Sequence, residues 1–162
     1  MGKYLVLVCS IALAIFQVGC SGAGSNDTPP GGSSNSCNGA VTELQGGWES
    51  CSGTTGDYIS YTFTNNCVTV NFKEFSNNDC TGIVTFDESA TYPFALGAFV
   101  ITDGGQTARE INVGANGAVQ YDIYMLSSNI MYRGLPTATN NMSSPSTRPT
   151  SLNFSISYTA IP

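Results

Sequence analysis

The 162-residue chain contains no histidine. That excludes a Ser-His-Asp or Cys-His nucleophile and any His-ligated metal. Charge is also scarce, with five Lys and Arg against eleven Asp and Glu. Beyond Lys3 the cations are Lys73, Arg109, Arg133 and Arg148, scattered along an acidic chain. Such a chain has no electrostatic footprint for nucleic acid and no attraction to anionic headgroups. The carboxylates do not assemble into a catalytic pair either. A glycosidase needs two of them facing each other across a cleft. Asp87 and Glu88 are adjacent and point to opposite faces of any strand that continues through them. Asp122 sits mid-strand, on the solvent side, or inside if the register is inverted. Glu110 adds no partner, and Asp79 and Asp103 do not gather the oxygens a Ca²⁺ needs. Gly114-Ala115-Asn116-Gly117 lacks the Lys-Ser/Thr and helix of a phosphate loop. The expectation is no catalytic residue, no metal and no cofactor: not an enzyme.

What is present first is an export signal. Lys3 precedes an apolar run, Tyr4 to Phe16, of the length of a signal-peptide core. The run ends in Gln17-Val18-Gly19-Cys20, which resembles a bacterial lipobox. The resemblance implies cleavage before Cys20 and acylation of that cysteine, so the partner is the membrane, reached through several acyl chains that would hold the protein firmly. Ser21 follows where many inner-membrane lipoproteins carry Asp, which implies the outer membrane. The alternative is cleavage at Ser21-Gly22-Ala23, giving a free periplasmic or secreted product. Residues 21–36 are mostly Gly, Ser, Asn and Pro, with no side chain that could anchor a core, so they read as a flexible tether. The chain divides into a signal peptide (1–19), a lipidated cysteine and tether (20–36) and one folded domain (37–162).

Cysteine usage agrees with export. With Cys9 in the signal peptide and Cys20 acylated, Cys37, Cys51, Cys67 and Cys80 remain, an even set for a disulfide-permissive compartment. Their wide spacing does not suit structural zinc.

Within the domain the hydrophobic period is two. Ile59, Tyr61 and Phe63 alternate with polar residues, as do Val68, Val70 and Phe72. The same holds for Val119, Tyr121, Ile123 and Met125, and for Leu152, Phe154, Ile156 and Tyr158. This is the pattern of half-buried antiparallel strands. It predicts strands over 46–51, 58–64, 67–75, 81–87, 91–101, 108–113, 118–126 and 129–133, with 151–160 as a ninth or closing strand. Asn65-Asn66 is placed to form a tight hairpin, and Asn116-Gly117 has the chemistry of a type I′ turn. Residues 134–150, with three prolines, read as a long surface loop. The fold class is all-β, an antiparallel up-and-down β-barrel of about eight strands, with a β-sandwich as the alternative. In a meander the end of strand one lies near the end of strand three, which favours Cys51–Cys80 at one rim and Cys37–Cys67 at the other.

Leu44-Gln45-Gly46-Gly47-Trp48 resembles the Gly-x-Trp motif that opens the first strand of lipocalin-like (calycin-like) barrels. Small bacterial lipoproteins of this kind also show the Trp-x-x-Cys found here as Trp48-Glu49-Ser50-Cys51, and an approach to the last strand like Arg148-Pro149-Thr150-Ser151-Leu152. The resemblance implies a barrel in which the glycine permits a bend and Trp48 packs across the closed end. Tyr61, Phe63, Val70, Phe72, Phe86, Tyr121 and Ile123 would then line the interior with Trp48. An eight-stranded barrel either fills with side chains or holds one small ligand. Two functions follow: a lipid-anchored envelope module binding a small apolar ligand, or a filled barrel that recognises an envelope protein or the cell wall through loops 102–107 and 134–150.

Overall fold

The computed structural model describes Cys37, Gly39, Val41 and residues 43–115 and 118–162. The expected signal peptide, Cys20 and the expected tether lie outside the described residues, as does the turn expected at Asn116-Gly117. The domain is all-β, a closed antiparallel barrel of eight strands in up-and-down order. The strands are β1 (Gly46–Cys51), β2 (Asp57–Thr64), β3 (Cys67–Phe75), β4 (Val84–Ile101), β5 (Thr107–Ala115), β6 (Ala118–Ser127), β7 (Ile130–Arg133) and β8 (Tyr158–Ile161). One 3-10 turn, Pro145–Thr147, interrupts the connection from β7 to β8.

Local chemistry explains the first half. β2 and β3 pair from Asp57↔Glu74 to Thr64↔Cys67, leaving only Asn65-Asn66 to turn the chain. Asn65 sits at φ 55°, a left-handed conformation that Asn tolerates better than most residues. Both disulfides are those the meander implies, Cys37–Cys67 and Cys51–Cys80, with Cα atoms 5.2 and 6.0 Å apart. Two such bonds fit an oxidising compartment outside the cytosol.

Two expectations need correction. The separate strands expected at 81–87 and 91–101 are one strand, β4, running straight through Asp87–Thr91. Its first half pairs with β3 and its second half with β5, the change falling between Pro93 and Phe94, and the register with β5 shifts between Leu96 and Phe99. The closing strand expected at 151–160 is also shorter. Leu152 makes an isolated bridge to Gly134, while only Tyr158–Ile161 pairs with β1 and β7. The apolar alternation of Leu152, Phe154 and Ile156 serves the barrel's outer surface instead. Leu152 packs there with Ala108 and Ile123, and the Phe154 ring meets Tyr132 at 5.0 Å.

The core is one cluster inside the barrel: Leu44, Trp48, Tyr61, Phe63, Val68, Phe94, Ile111, Tyr124, Met131 and Tyr158. Rings fill much of it. Phe63 meets Phe94 edge-on at 5.2 Å, and Tyr61 meets Tyr158 at the same distance.

Candidate functional site

One rim of the barrel is plugged by the chain that precedes β1. Leu44 is fully buried in the core and Val41 packs against it. Beside them Glu43 accepts a hydrogen bond from the Tyr124 hydroxyl (2.7 Å) and pairs with Arg109. Gln45 clamps the β2–β3 hairpin, bonding the backbone N–H and carbonyl of Asn65. Asn65 reaches back to the Cys37 carbonyl. The Cys37–Cys67 bond thus fastens the plug, and Gly46 at φ 111° turns it into β1, a bend a side chain would strain.

Deeper in, the barrel holds an ion pair. Cross-strand partners share a face of the sheet. Asp122 lies opposite Ile111, which belongs to the inner core, so Asp122 points inward. Its side chain has no solvent exposure. Arg133 donates to Asp122 Oδ2 through Nε at 2.7 Å and Nη2 at 2.5 Å. The backbone N–H groups of Ile123 and Gly134 donate to Oδ1. A side chain at Gly134 would collide with that oxygen and with Pro149, so the site needs glycine. Arg133 also donates to the Tyr61 hydroxyl and lies 4.8 Å over the Tyr61 ring. Burial alone would push the guanidinium down, but Tyr61, Asp122 and Tyr158 together hold its pKa up, so it stays charged. Both carboxylate oxygens are met from within, by the guanidinium and two backbone N–H groups, which is the arrangement of a structural pair rather than of an acid or base waiting for substrate.

Asp122 therefore occupies the inner side of the strand, the second of the two registers open from the sequence. The correction extends to its neighbours. Tyr121 and Ile123, expected to line the interior, stand on the outer face. There they are covered by the chain from Gly134 to Leu152, which straps the edge of β6 left open where β7 ends. Met142 supplies its carbonyl to the Tyr121 N–H, and the Gly134 N–H donates to the Ile123 carbonyl. Arg148 lies 5.5 Å from the Tyr121 ring centroid, donates to the Ile111 and Asp122 carbonyls and pairs with Glu110 at 3.3 Å. The expected surface loop is a strap with buried anchors at Met142 and Pro149. It is also tied to the 102–106 turn, where Asp103 accepts from Thr150 and Ser151.

The remaining lining residues divide by depth. Trp48, Tyr61 and Phe63 are buried inside, with Val70 packed against them. Phe72 and Phe86 share that inner face but lie at the open rim, where Phe86 is 43% exposed and the two rings stand 5.9 Å apart. The Trp48 Nε1–H has no hydrogen-bond partner among the described residues. Sequence reasoning gave no role to Arg133, Glu43 or Leu44. The signal for Arg133 lay in β6, where Tyr124 and Leu126 share the phase of Asp122 and make that phase partly apolar as well.

Buried phenols give the barrel an alkaline limit. Burial raises the Tyr124 hydroxyl from 10.0 to about 12 and raises Tyr158 as well. The unfolded chain gives up these protons first, so stability is full below pH 10 and falls as pH rises through that value. Urea midpoints on either side of pH 10 should show the drop, and Tyr124→Phe should reduce it.

No protein-family model, no curated protein and no solved structure matches the chain. The closed barrel is compatible with a lipocalin-like fold, and its chemistry must be argued from its own residues.

Proposed function

We propose that this is a lipid-anchored envelope protein whose barrel is filled and which works through its surface, contacting another envelope protein or the cell wall, without catalysis. The observation that carries this reading is the occupied interior: six buried rings (Trp48, Tyr61, Phe63, Phe94, Tyr124 and Tyr158) around the Asp122–Arg133 pair, beneath a plugged rim. An eight-stranded barrel can be filled by side chains alone, and this set supplies them. Large apolar side chains are left exposed at the surface and the rims, among them Ile83, Phe99, Ile101 and Phe154. Acylation of Cys20 would supply the anchor, and the outer membrane is the site that Ser21 supports.

One observation favours a second reading. A buried indole N–H normally finds an acceptor, and Trp48 has none among the described residues. A small ligand presenting an oxygen beside Trp48 would answer it, making the barrel the ligand-binding module of the lipocalin-like resemblance.

Both parts of the proposal are testable in the native host. Cys20→Ala should move the protein from the membrane to the soluble fraction. Photo-crosslinking from exposed positions in the intact envelope should give discrete adducts with one macromolecule. A membrane-bound Cys20→Ala variant would overturn the anchor, and the absence of adducts from any position would overturn the surface reading.

A further inference from the structure

Among the described residues, β4 is paired on one side only through its first half. Val84–Pro93 pairs with β3, whereas β5 joins β4 from Phe94 onward. Among the described residues, no loop or turn hydrogen-bonds to the backbone of residues 84–92. In an antiparallel pair, alternate residues turn their N–H and C=O away from the partner. This stretch therefore presents a row of backbone donors and acceptors, the template for adding a strand. Pro93, which lacks an N–H, marks its inner limit.

The side chains around this edge say what kind of strand would fit. Glu88 faces Phe72 and Glu74 faces Phe86 across β3 and β4, so two carboxylates and two rings share the inner face. Asp87 stands on the outer face, tied to Lys73 at 3.4 Å. Ile83, just before the strand, is 75% exposed. Apolar contact and negative charge are thus offered together along one free edge.

We propose that residues 84–91 of β4 are the docking site for an extended basic and apolar segment of another protein, which adds to the barrel as a strand. The inference rests on the surface-contact reading above and names its site. The chain's own tether does not fit, because residues 21–36 carry no large apolar side chain and include Asp27. A second copy fits poorly, since edge-to-edge pairing would bring Asp87 and Glu88 against their own counterparts. A basic partner removes that repulsion and gains from it.

Hydrogen exchange of the mature protein, with and without a short peptide of alternating valine and lysine, tests the site directly. Protection should appear at residues 84–92, weaken with salt, and require about tenfold more peptide in Glu88→Lys, whose urea midpoint should match the wild type. Equal protection by an alternating valine–glutamate peptide would overturn the proposal, as would protection elsewhere. Concentration-dependent protection of 84–92 without peptide would overturn it in favour of a second copy. In the native envelope, a photo-crosslinker at Thr85 should give an adduct with a protein. Adducts from Asn140 on the strap but not from Thr85 would overturn the β4 site while keeping the surface-contact reading. Adducts from neither position would overturn both.

Discussion

Arg133→Ala is expected to destabilise the domain by about 3–5 kcal/mol, a large part of the ~5–15 kcal/mol that holds a typical domain together. The loss comes from the Asp122 carboxylate rather than from the missing contacts of arginine. Asp122 is wholly buried, and without the guanidinium it keeps only the Ile123 and Gly134 N–H groups. Two amides do not replace a cation in a low-dielectric interior. Tyr61 loses its cationic neighbour in the same step. Asp122→Leu combined with Arg133→Met should recover most of the loss, because two apolar side chains leave no uncompensated charge inside. Urea denaturation of the wild type and the two variants measures this. A single variant as destabilised as the double, with no recovery, would mean that packing rather than charge dominates.

Replacing Cys37 and Cys67 by serine should remove up to ~3.6 kcal/mol, the chain-entropy value for a loop of that length. The separation is 30 residues, against 29 for Cys51–Cys80, so the two deletions should be about equal in stability. Their local effects should differ. The first bond fastens the segment that carries Glu43 and Leu44 into the barrel, and the second braces the opposite rim. Trp48 is the chain's one tryptophan and belongs to the same cluster as Leu44. Quenching of its fluorescence by acrylamide should rise in Cys37→Ser/Cys67→Ser and stay near wild type in Cys51→Ser/Cys80→Ser. Equal quenching in both would mean that the plug holds without its disulfide.

These two predictions rest on parts of the molecule that were unequally legible in the sequence. The cysteine pairing could be read because β1 to β3 have one wet face each, clean alternation and a two-residue turn, so the rims follow from counting. The β6 register could not. Its outer face is covered by the Gly134–Leu152 strap, so Tyr121 and Ile123 are apolar for the strap while Tyr124 and Leu126 are apolar for the core. Two buried faces erase the alternation that decides which side is in. Asp122 then reads as a solvated charge when it is the most enclosed carboxylate described. β4 misled for the opposite reason. A break is expected between 87 and 91 because the strand there lies at the rim, where polar residues such as Glu88 and Ser89 carry no penalty. In the last segment the alternation from Leu152 to Tyr158 is real, but only its end joins the sheet. The barrel that the motif implied is present and compatible with a lipocalin-like fold: Gly46 makes the bend and Trp48 is 7% exposed in the core.

The central claim is that the barrel is filled by its own side chains and acts through its surface. Native mass spectrometry of the protein gently released from its own envelope, compared with the denatured chain, tests it most directly. The account predicts one mass before and after denaturation, that of the acylated chain with two disulfides. A stoichiometric extra mass lost on denaturation would contradict it and place a ligand beside Trp48.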